Sequence, residues 1–171
     1  MNSSAEHPSA IPSNQLDSEC DVKHLRRSGP GGQHRNKVET GVLLRHRPTG
    51  VTAEANERRS QSQNRSVALF RLRVKLALQI RTDRAAEGVP SGLWKSRCRG
   101  GRMEISTNHN DFPAILAEAM DVLTANNFDP KTTANQLGCT ISQLIKLFKK
   151  ESNAFRQVNQ HRESLGFHTL R

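Results

Sequence analysis

The spacing of apolar residues changes from a period of two to a helical period within the first half of the chain. Over residues 38–55 apolar and polar side chains alternate, and a Pro-Thr-Gly turn signal at residues 48–50 interrupts the alternation. Residues 60–81 instead show helical spacing. A hairpin followed by a helix long enough to cover it predicts an α+β (α/β) fold. The predicted apolar face of the helix comprises Val67, Phe70, Val74, Ala77 and Leu78, and it is widened by Leu69, Leu72, Leu76 and Ile80.

Composition divides the chain into four regions. Residues 1–19 are rich in Ser, Asn and Pro without an apolar period, which predicts a disordered leader. Residues 20–84 form the α+β domain. Residues 85–111, which are rich in glycine, are predicted to be a linker. Residues 112–171 are predicted to form a small all-α domain.

Start and stop signals define the helices of residues 112–171. Pro113 opens one helix, Asp129 opens a second that Gly138 ends, and Thr140 caps a third. The spacing of Ala134 and Gly138 is typical of a helix-turn-helix, although a plain helical bundle with a solvated face fits equally well. An RNA contact is predicted on the outward side of the third helix, at Gln143, Lys146, Lys149 and Lys150.

The positive charge of the chain is concentrated in one region. The formal net charge is +10, and residues 22–84 alone contain fifteen Lys or Arg and four Asp or Glu. Such a block indicates a polyanion-binding surface, with nucleic acid ahead of an anionic membrane. Solubility alone is the alternative explanation.

The cysteines and the apolar stretches exclude several classes of protein. Cys20, Cys98 and Cys139 are far apart and show no CxxC spacing, which argues against a metal site or a disulfide framework. Neither a secretory signal nor a membrane-length apolar stretch is visible. The sequence therefore predicts a cytoplasmic protein with no metal, no cofactor and no membrane partner.

The Gly-Gly-Gln run at residues 31–33 is the candidate catalytic segment. Gly31 and Gly32 allow positive φ angles and a close approach of the backbone to a ligand. Gln33 adds an uncharged side chain and a backbone N–H that can stabilise a developing oxyanion. These features suit a loop that completes the active site of another machine, whereas the alternative is a flexible, solvated basic loop.

Basic and polar residues flank this run and recur at the start of the long helix. A helix N-terminus with Ser, Asn and Arg is a good seat for phosphate. The residues predicted to contact nucleic acid are Arg26, Arg27, His34, Arg35, Asn36, Lys37, Arg58, Arg59, Ser60, Gln61, Asn64 and Arg65.

Three spaced motifs resemble those of bacterial-type class I peptide chain release factors. They are Arg-Ser-Gly-Pro-Gly-Gly-Gln-His-Arg-Asn-Lys-Val-Glu-Thr at residues 27–40, His-Arg-Pro-Thr-Gly-Val at 46–51, and Glu-Arg-Arg-Ser-Gln-x-x-Asn at 57–64. The resemblance covers about residues 21–81. It implies a catalytic domain made of a small mixed sheet and a long helix. Arg35 departs from the family, which usually has a small apolar residue there.

The resemblance also implies an activity. Gly31 and Gly32 would shape a loop that enters the peptidyl transferase centre of the ribosome. Gln33 would position water and stabilise the transition state for hydrolysis of peptidyl-tRNA, and its side chain is an expected N-methylation site. The implied partners are large-subunit ribosomal RNA and peptidyl-tRNA, and we expect a monomer away from the ribosome.

The placement of the motifs favours a codon-independent factor. The sequence ahead of them consists of the leader alone, so we expect a protein similar to the short members of the family that rescue stalled ribosomes. Two alternatives remain open. One is a module that binds the ribosome or RNA without catalysis, and the other is a helix-turn-helix DNA-binding protein.

Overall fold

A computed structural model describes residues 6–26, 39–83 and 89–171. These residues fall into two units, Pro8–Ile80 and Arg81–Arg171, the second of which also includes residues 6–7. The division therefore falls after Ile80, earlier than the predicted boundary at residue 84. Small sheets and several helices occur together, which is the mixed α/β fold class expected from the sequence.

The first unit is a three-stranded sheet with helices. Its strands follow the order β1-β2-β3, and both neighbouring pairs are antiparallel. The sheet formed by the described strands is thus antiparallel and not mixed, because the β2–β3 connection is a tight turn and not a crossover. The elements are α1 (Ser13–Ser18), β1 (Cys20–Leu25), β2 (Gly41–His46), β3 (Thr52–Ala55) and α2 (Gln61–Gln79).

The predicted hairpin is confirmed by β2 and β3. Val42 and Leu44 are buried on one face of the sheet, and Ala53 and Ala55 join them from β3. Gly50 has a φ of 72°, a left-handed conformation that glycine adopts without steric cost. The alternation in the sequence therefore reports correctly which side of the sheet faces the core.

Helix α2 covers this sheet, and the predicted apolar face is confirmed in part, because Leu72, Leu76 and Ala77 of that face are fully buried. Ala68, Leu72 and Leu76 are fully buried, whereas the side chains of Val67 and Val74 are only half-buried. The prediction misplaced only the centre of the face, because the buried face begins with a polar residue, Asn64, which an apolar pattern does not count.

The predicted disordered leader is wrong for its second half. Residues 13–18 form α1, and the side chain of Leu16 on this helix is fully buried. Leu16 belongs to the same core as Leu72 and Leu76, with Ile11 packed against it. A segment poor in apolar residues is ordered here because the few that it has reach an existing core.

The second unit combines helices with a two-stranded hairpin. Its helices and strands are α3 (Gly92–Arg97), β4 (Cys98–Arg99), β5 (Arg102–Met103), α4 (Phe112–Ala125), α5 (Pro130–Leu137), α6 (Ile141–Lys149) and α7 (Ser152–Ser164). Among the described residues, no helix has the length and apolar character that a membrane span requires.

Most of the predicted linker, residues 85–111, is structured. The side chain of Trp94 is 1% exposed, and Ser91 caps α3 by accepting the Trp94 N–H at 3.0 Å. The prediction failed because glycines at 100 and 101 suggested a linker, whereas they form the turn of the β4–β5 hairpin with φ angles of 54° and 76°.

The predicted ends of the last helices are confirmed. Helix α5 begins after Asp129, which accepts two backbone N–H groups, and ends at Gly138 with a φ of 65°. Thr140 caps α6 by accepting the Gln143 N–H at 3.2 Å. Local capping chemistry therefore determines these boundaries.

Candidate nucleic-acid interface and the frame of the Gly-Gly-Gln segment

The segment that carries the candidate catalytic residues begins and ends on paired strand residues. Gly31, Gly32 and Gln33, together with Arg27 and residues 34–37, lie outside the described residues. The described chain leaves the sheet at Leu25 and re-enters it at Gly41, and these two residues are partners in the β1–β2 register. The segment is therefore closed at its base by the sheet itself.

Gly41 packs closely against Leu25 at this base. A Cβ atom at Gly41 would lie 3.0 Å from the carbonyl oxygen and 3.1 Å from the Cβ of Leu25. One residue further out, Arg26 Nε lies 2.8 Å from Glu39 Oε1. The Arg26 side chain is 73% exposed, so this ion pair contributes little stability, and the guanidinium also faces solvent.

Two amide side chains from the first turn of α2 hold the returning chain. Gln61 Nε2 lies 3.0 Å from the Glu39 carbonyl oxygen and 3.0 Å from Nδ1 of His24. Asn64 Nδ2 donates to the Thr40 carbonyl oxygen at 2.7 Å. Strand β1, the end of the segment and α2 are thus joined at one place.

The prediction that Asn64 contacts nucleic acid is wrong. Its side chain is fully buried. Besides its bond to Thr40, its Oδ1 accepts the Arg58 N–H at 2.9 Å and its Nδ2 donates to the Arg58 carbonyl oxygen at 3.0 Å. A short buried amide can satisfy a backbone donor and two backbone acceptors at once, so Asn64 is a structural residue.

The remaining residues predicted around the start of α2 divide into bonded and free side chains. Ser60 caps the helix, with its Oγ 3.5 Å from the Gln63 N–H. The Arg65 guanidinium donates to both Asp17 carboxylate oxygens, at 2.8–3.0 Å. Arg58 and Arg59 are exposed, and their side chains have no ionic or hydrogen-bonded partner in the part of the chain that is described.

The loop that presents Arg58 and Arg59 is fixed by Glu57. The Asn56 N–H donates to Glu57 Oε2 at 2.9 Å, and Arg71 Nη2 lies 2.6 Å from Glu57 Oε1. Backbone hydrogen bonds, followed by the contact with Arg71, lower the pKa of Glu57 to about 2. The carboxylate is therefore ionised at neutral pH, where it accepts these hydrogen bonds.

The predicted contacts on α6 divide in a similar way. Gln143 Oε1 accepts the Met103 N–H at 3.3 Å, and the Lys150 ammonium donates to the Ile105 carbonyl oxygen. Lys149 Nζ lies 5.4 Å from the centre of the Phe155 ring and remains exposed, as does Lys146. Gln143 and Lys150 thus bind other parts of this chain, which the sequence did not indicate.

Two buried carboxylates on α4 were also missed. Glu118 accepts the Ser91 N–H at 2.7 Å and the Ser91 hydroxyl at 2.5 Å. Asp121 accepts the Thr82 N–H at 3.2 Å and the Thr82 hydroxyl at 2.7 Å. Acidic residues three apart in an otherwise apolar helix were the available signal, because a buried carboxylate needs partners.

The family resemblance is confirmed by comparison with known proteins. The model of the RF-1 domain matches residues 11–104, more than half of the chain. The chain belongs to the class I peptide chain release factor family.

Several curated relatives carry the same family name. The chain is 42% identical over 154 residues to peptide chain release factor 1 of Acidovorax sp. (strain JS42), covering 89% of this chain and 36% of that protein. It is 45% identical over 69 residues to the chloroplastic factor PrfB1 of Arabidopsis thaliana, covering 40% and 15%. For peptide chain release factor 2 of Kineococcus radiotolerans, the identity is 39% over 88 residues, covering 48% and 24%. The chain thus spans about a third or less of each relative.

Proposed function

We propose that this protein promotes hydrolysis of peptidyl-tRNA on the ribosome, with Gly31, Gly32 and Gln33 as the catalytic segment. The observation that carries the proposal is the frame of that segment. Its two ends join the sheet at Leu25 and Gly41, which are paired on neighbouring strands, and the first turn of α2 holds the returning chain. The large-subunit ribosomal RNA and peptidyl-tRNA are the proposed partners, in keeping with the family to which the chain belongs.

The chemistry requires positioning and not an acid or base from this chain. Water attacks the ester carbonyl carbon, the bond to the tRNA ribose oxygen breaks, and a proton passes to that oxygen. The two glycines allow the backbone to approach the ester closely, and the Gln33 N–H donates to the oxygen on which negative charge develops. The Gln33 side chain orients the water, and we retain its predicted N-methylation as part of the proposal.

Arg58 and Arg59 are the proposed contacts to ribosomal RNA in this unit. They are exposed beside the start of α2, and residues 22–84 contain fifteen Lys or Arg against four acids. Such a region attracts the phosphate backbone irrespective of its sequence. Arg26 is exposed at the base of the segment and adds to this surface.

We further propose that the factor acts without reading a codon. Helices α5 and α6, joined through Gly138 and Thr140, form a helix-turn-helix-like pair in the second unit. This pair offers an RNA contact through Lys146 and Lys149, which are exposed on α6. Such a contact would place the factor on the ribosome through the phosphate backbone and not through contacts to base edges.

The proposal is tested by Gly32→Ala in single-turnover peptide release from ribosomes carrying peptidyl-tRNA. We expect a loss of about 100-fold or more, with ribosome binding nearly unchanged, because the substitution alters loop geometry and the oxyanion contact but not charge. A variant that binds and releases peptide at the wild-type rate would overturn the assignment of Gly31, Gly32 and Gln33 as the catalytic segment.

Gly50→Ala is the matched control. Gly50 has a positive φ, 72°, and an added Cβ there would meet no atom within 4 Å. This variant should carry the general backbone strain of a Gly→Ala substitution while keeping the wild-type release rate. An equal loss of release in both variants would mean that strain, and not the catalytic segment, explains the effect of Gly32→Ala.

A further inference from the structure

The β4–β5 hairpin places two arginines directly opposite each other. In its register Cys98 pairs with Met103, and Arg99 pairs with Arg102. Directly opposed residues of an antiparallel pair project from the same face, and like charges there repel. Both arginines are exposed, and neither has an acidic partner among the described residues. The hairpin therefore presents a concentrated, uncompensated positive charge.

The hairpin is attached to the start of α6 by hydrogen bonds. The Met103 N–H donates to Gln143 Oε1 at 3.3 Å, and the Thr140 N–H donates to the Gly101 carbonyl oxygen at 3.3 Å. Just beyond β5, the Lys150 ammonium donates to the Ile105 carbonyl oxygen. The turn and both ends of α6 are thus tied together, so the hairpin arginines have a defined position beside this helix.

Helix α6 adds charge of the same sign. Lys146 and Lys149 are exposed on it, and neither the hairpin, residues 98–103, nor α6 contains an Asp or Glu. Two acids are near the four basic residues in sequence: Glu104 directly follows the hairpin, and Glu151 lies two residues after Lys149. We call Arg99, Arg102, Lys146 and Lys149 the hairpin–helix surface.

We propose that the hairpin–helix surface binds the phosphate backbone of ribosomal RNA, with the hairpin arginines as its central contacts. The inference rests on the proposed ribosomal function and extends it to a contact that the sequence did not suggest. Planar guanidinium groups donate two hydrogen bonds to one phosphate, and adjacent arginines match adjacent phosphates. A protein partner would favour an apolar or aromatic centre, whereas the outward face of this hairpin offers only arginines.

The test compares three variants of the full chain in equilibrium binding to ribosomes at several salt concentrations. Arg99→Gln/Arg102→Gln removes the two hairpin charges. Lys131→Gln/Arg171→Gln removes two exposed charges outside the surface and is the matched control. The measured quantity is the slope of the logarithm of the binding constant against the logarithm of the salt concentration. We expect the first variant to reduce the size of this slope by about 1.4–1.8, because two phosphate contacts are lost, and the control to change it little. Equal slopes for the two variants would overturn the proposal.

A third variant, Gln143→Leu, removes the hydrogen bond that anchors the hairpin without changing the net charge. If the hairpin must be fixed beside α6, affinity should fall severalfold while the salt slope changes less than in the arginine variant. Wild-type affinity for Gln143→Leu would contradict a single surface formed by hairpin and helix.

Chemical probing of the ribosomal RNA identifies the partner. Wild-type protein should protect RNA positions that the hairpin variant leaves reactive, and cross-links from the hairpin to ribosomal protein alone would overturn the assignment to RNA. The dependence of peptide release on protein concentration separates this inference from the proposed function. The hairpin variant should need a higher protein concentration than wild type for half-maximal release, whereas Gly32→Ala should bind and fail to release at any concentration.

Discussion

Each of the two units uses polar side chains on one helix to hold a neighbouring stretch of chain, but the chemistry differs. In the first unit the amide of Asn64 on α2 both donates and accepts, and it bonds the backbone of Thr40 and Arg58. In the second unit the carboxylates of Glu118 and Asp121 on α4 accept N–H and O–H groups from Ser91 and Thr82.

The difference shows how position determines the choice of side chain. The chain that approaches Asn64 presents carbonyl oxygens as well as an N–H, which a carboxylate could not satisfy. The chain that approaches α4 presents donors only, so a carboxylate suffices and makes stronger, charge-assisted bonds. Only in the first unit does the held stretch close the base of a candidate catalytic segment, so loosening it should affect activity as well as stability.

The largest effect is expected for Asn64→Ala. The substitution leaves one backbone N–H and two carbonyl oxygens without their side-chain partner, which should cost about 3 kcal/mol of unfolding free energy. Peptide release should also fall, because the chain that returns from the Gly-Gly-Gln segment loses its anchor at Thr40. Urea unfolding followed by circular dichroism, combined with the release assay, measures both. Gln63→Ala, at an exposed neighbouring residue, is the control. Equal stability of the two variants would contradict the structural role of Asn64.

A smaller effect is expected for Glu118→Ala. The Ser91 N–H and hydroxyl lose their acceptor, at a cost of about 2 kcal/mol. Because Ser91 caps α3, the buried Trp94 on that helix should become more accessible to a fluorescence quencher. Glu104→Gln, at an exposed acid, serves as the control. Unchanged quenching in Glu118→Ala would show that the carboxylate does not hold α3.

The smallest effect on folding is expected for Arg58→Gln/Arg59→Gln, because both side chains are exposed. The salt dependence of ribosome binding should instead weaken, with the log–log slope of binding constant against salt concentration smaller in size by about 1.4–1.8. Arg65→Gln provides the contrast, because the Arg65 guanidinium is bonded to Asp17. This variant should lower the free energy of unfolding more than it changes ribosome binding. If Arg65→Gln reduced the slope as much per charge as the other two, the division into held and free arginines would be wrong.

Local chemistry explains what could be predicted from the sequence. The ends of α5 and the start of α6 were predicted correctly because Asp129, Gly138 and Thr140 act on backbone groups within four residues of themselves. The β2–β3 hairpin was predicted for the same reason, from its turn and its alternation. By contrast, the order of residues 13–18 depends on Leu16 reaching a core built by α2, which no local pattern reveals.

The candidate site shows the same limit. The arginines at 58 and 59 are exposed, as a contact to nucleic acid requires. The roles of Asn64, Gln143 and Lys150 were not predicted, because their partners lie 24, 40 and 45 residues away in sequence. Polar residues beside a basic cluster look like ligand contacts until the fold shows which backbone groups they satisfy.

The most direct test of the central claim is the rate of peptide release by the wild-type protein from purified ribosomes carrying peptidyl-tRNA, measured with and without a stop codon in the decoding site. If the protein is a codon-independent hydrolysis factor, peptide release should be rapid in both cases, at similar rates. Release that requires the stop codon would contradict the codon-independent part of the account. The absence of release in both cases, with the protein bound to the ribosome, would contradict the hydrolytic function itself.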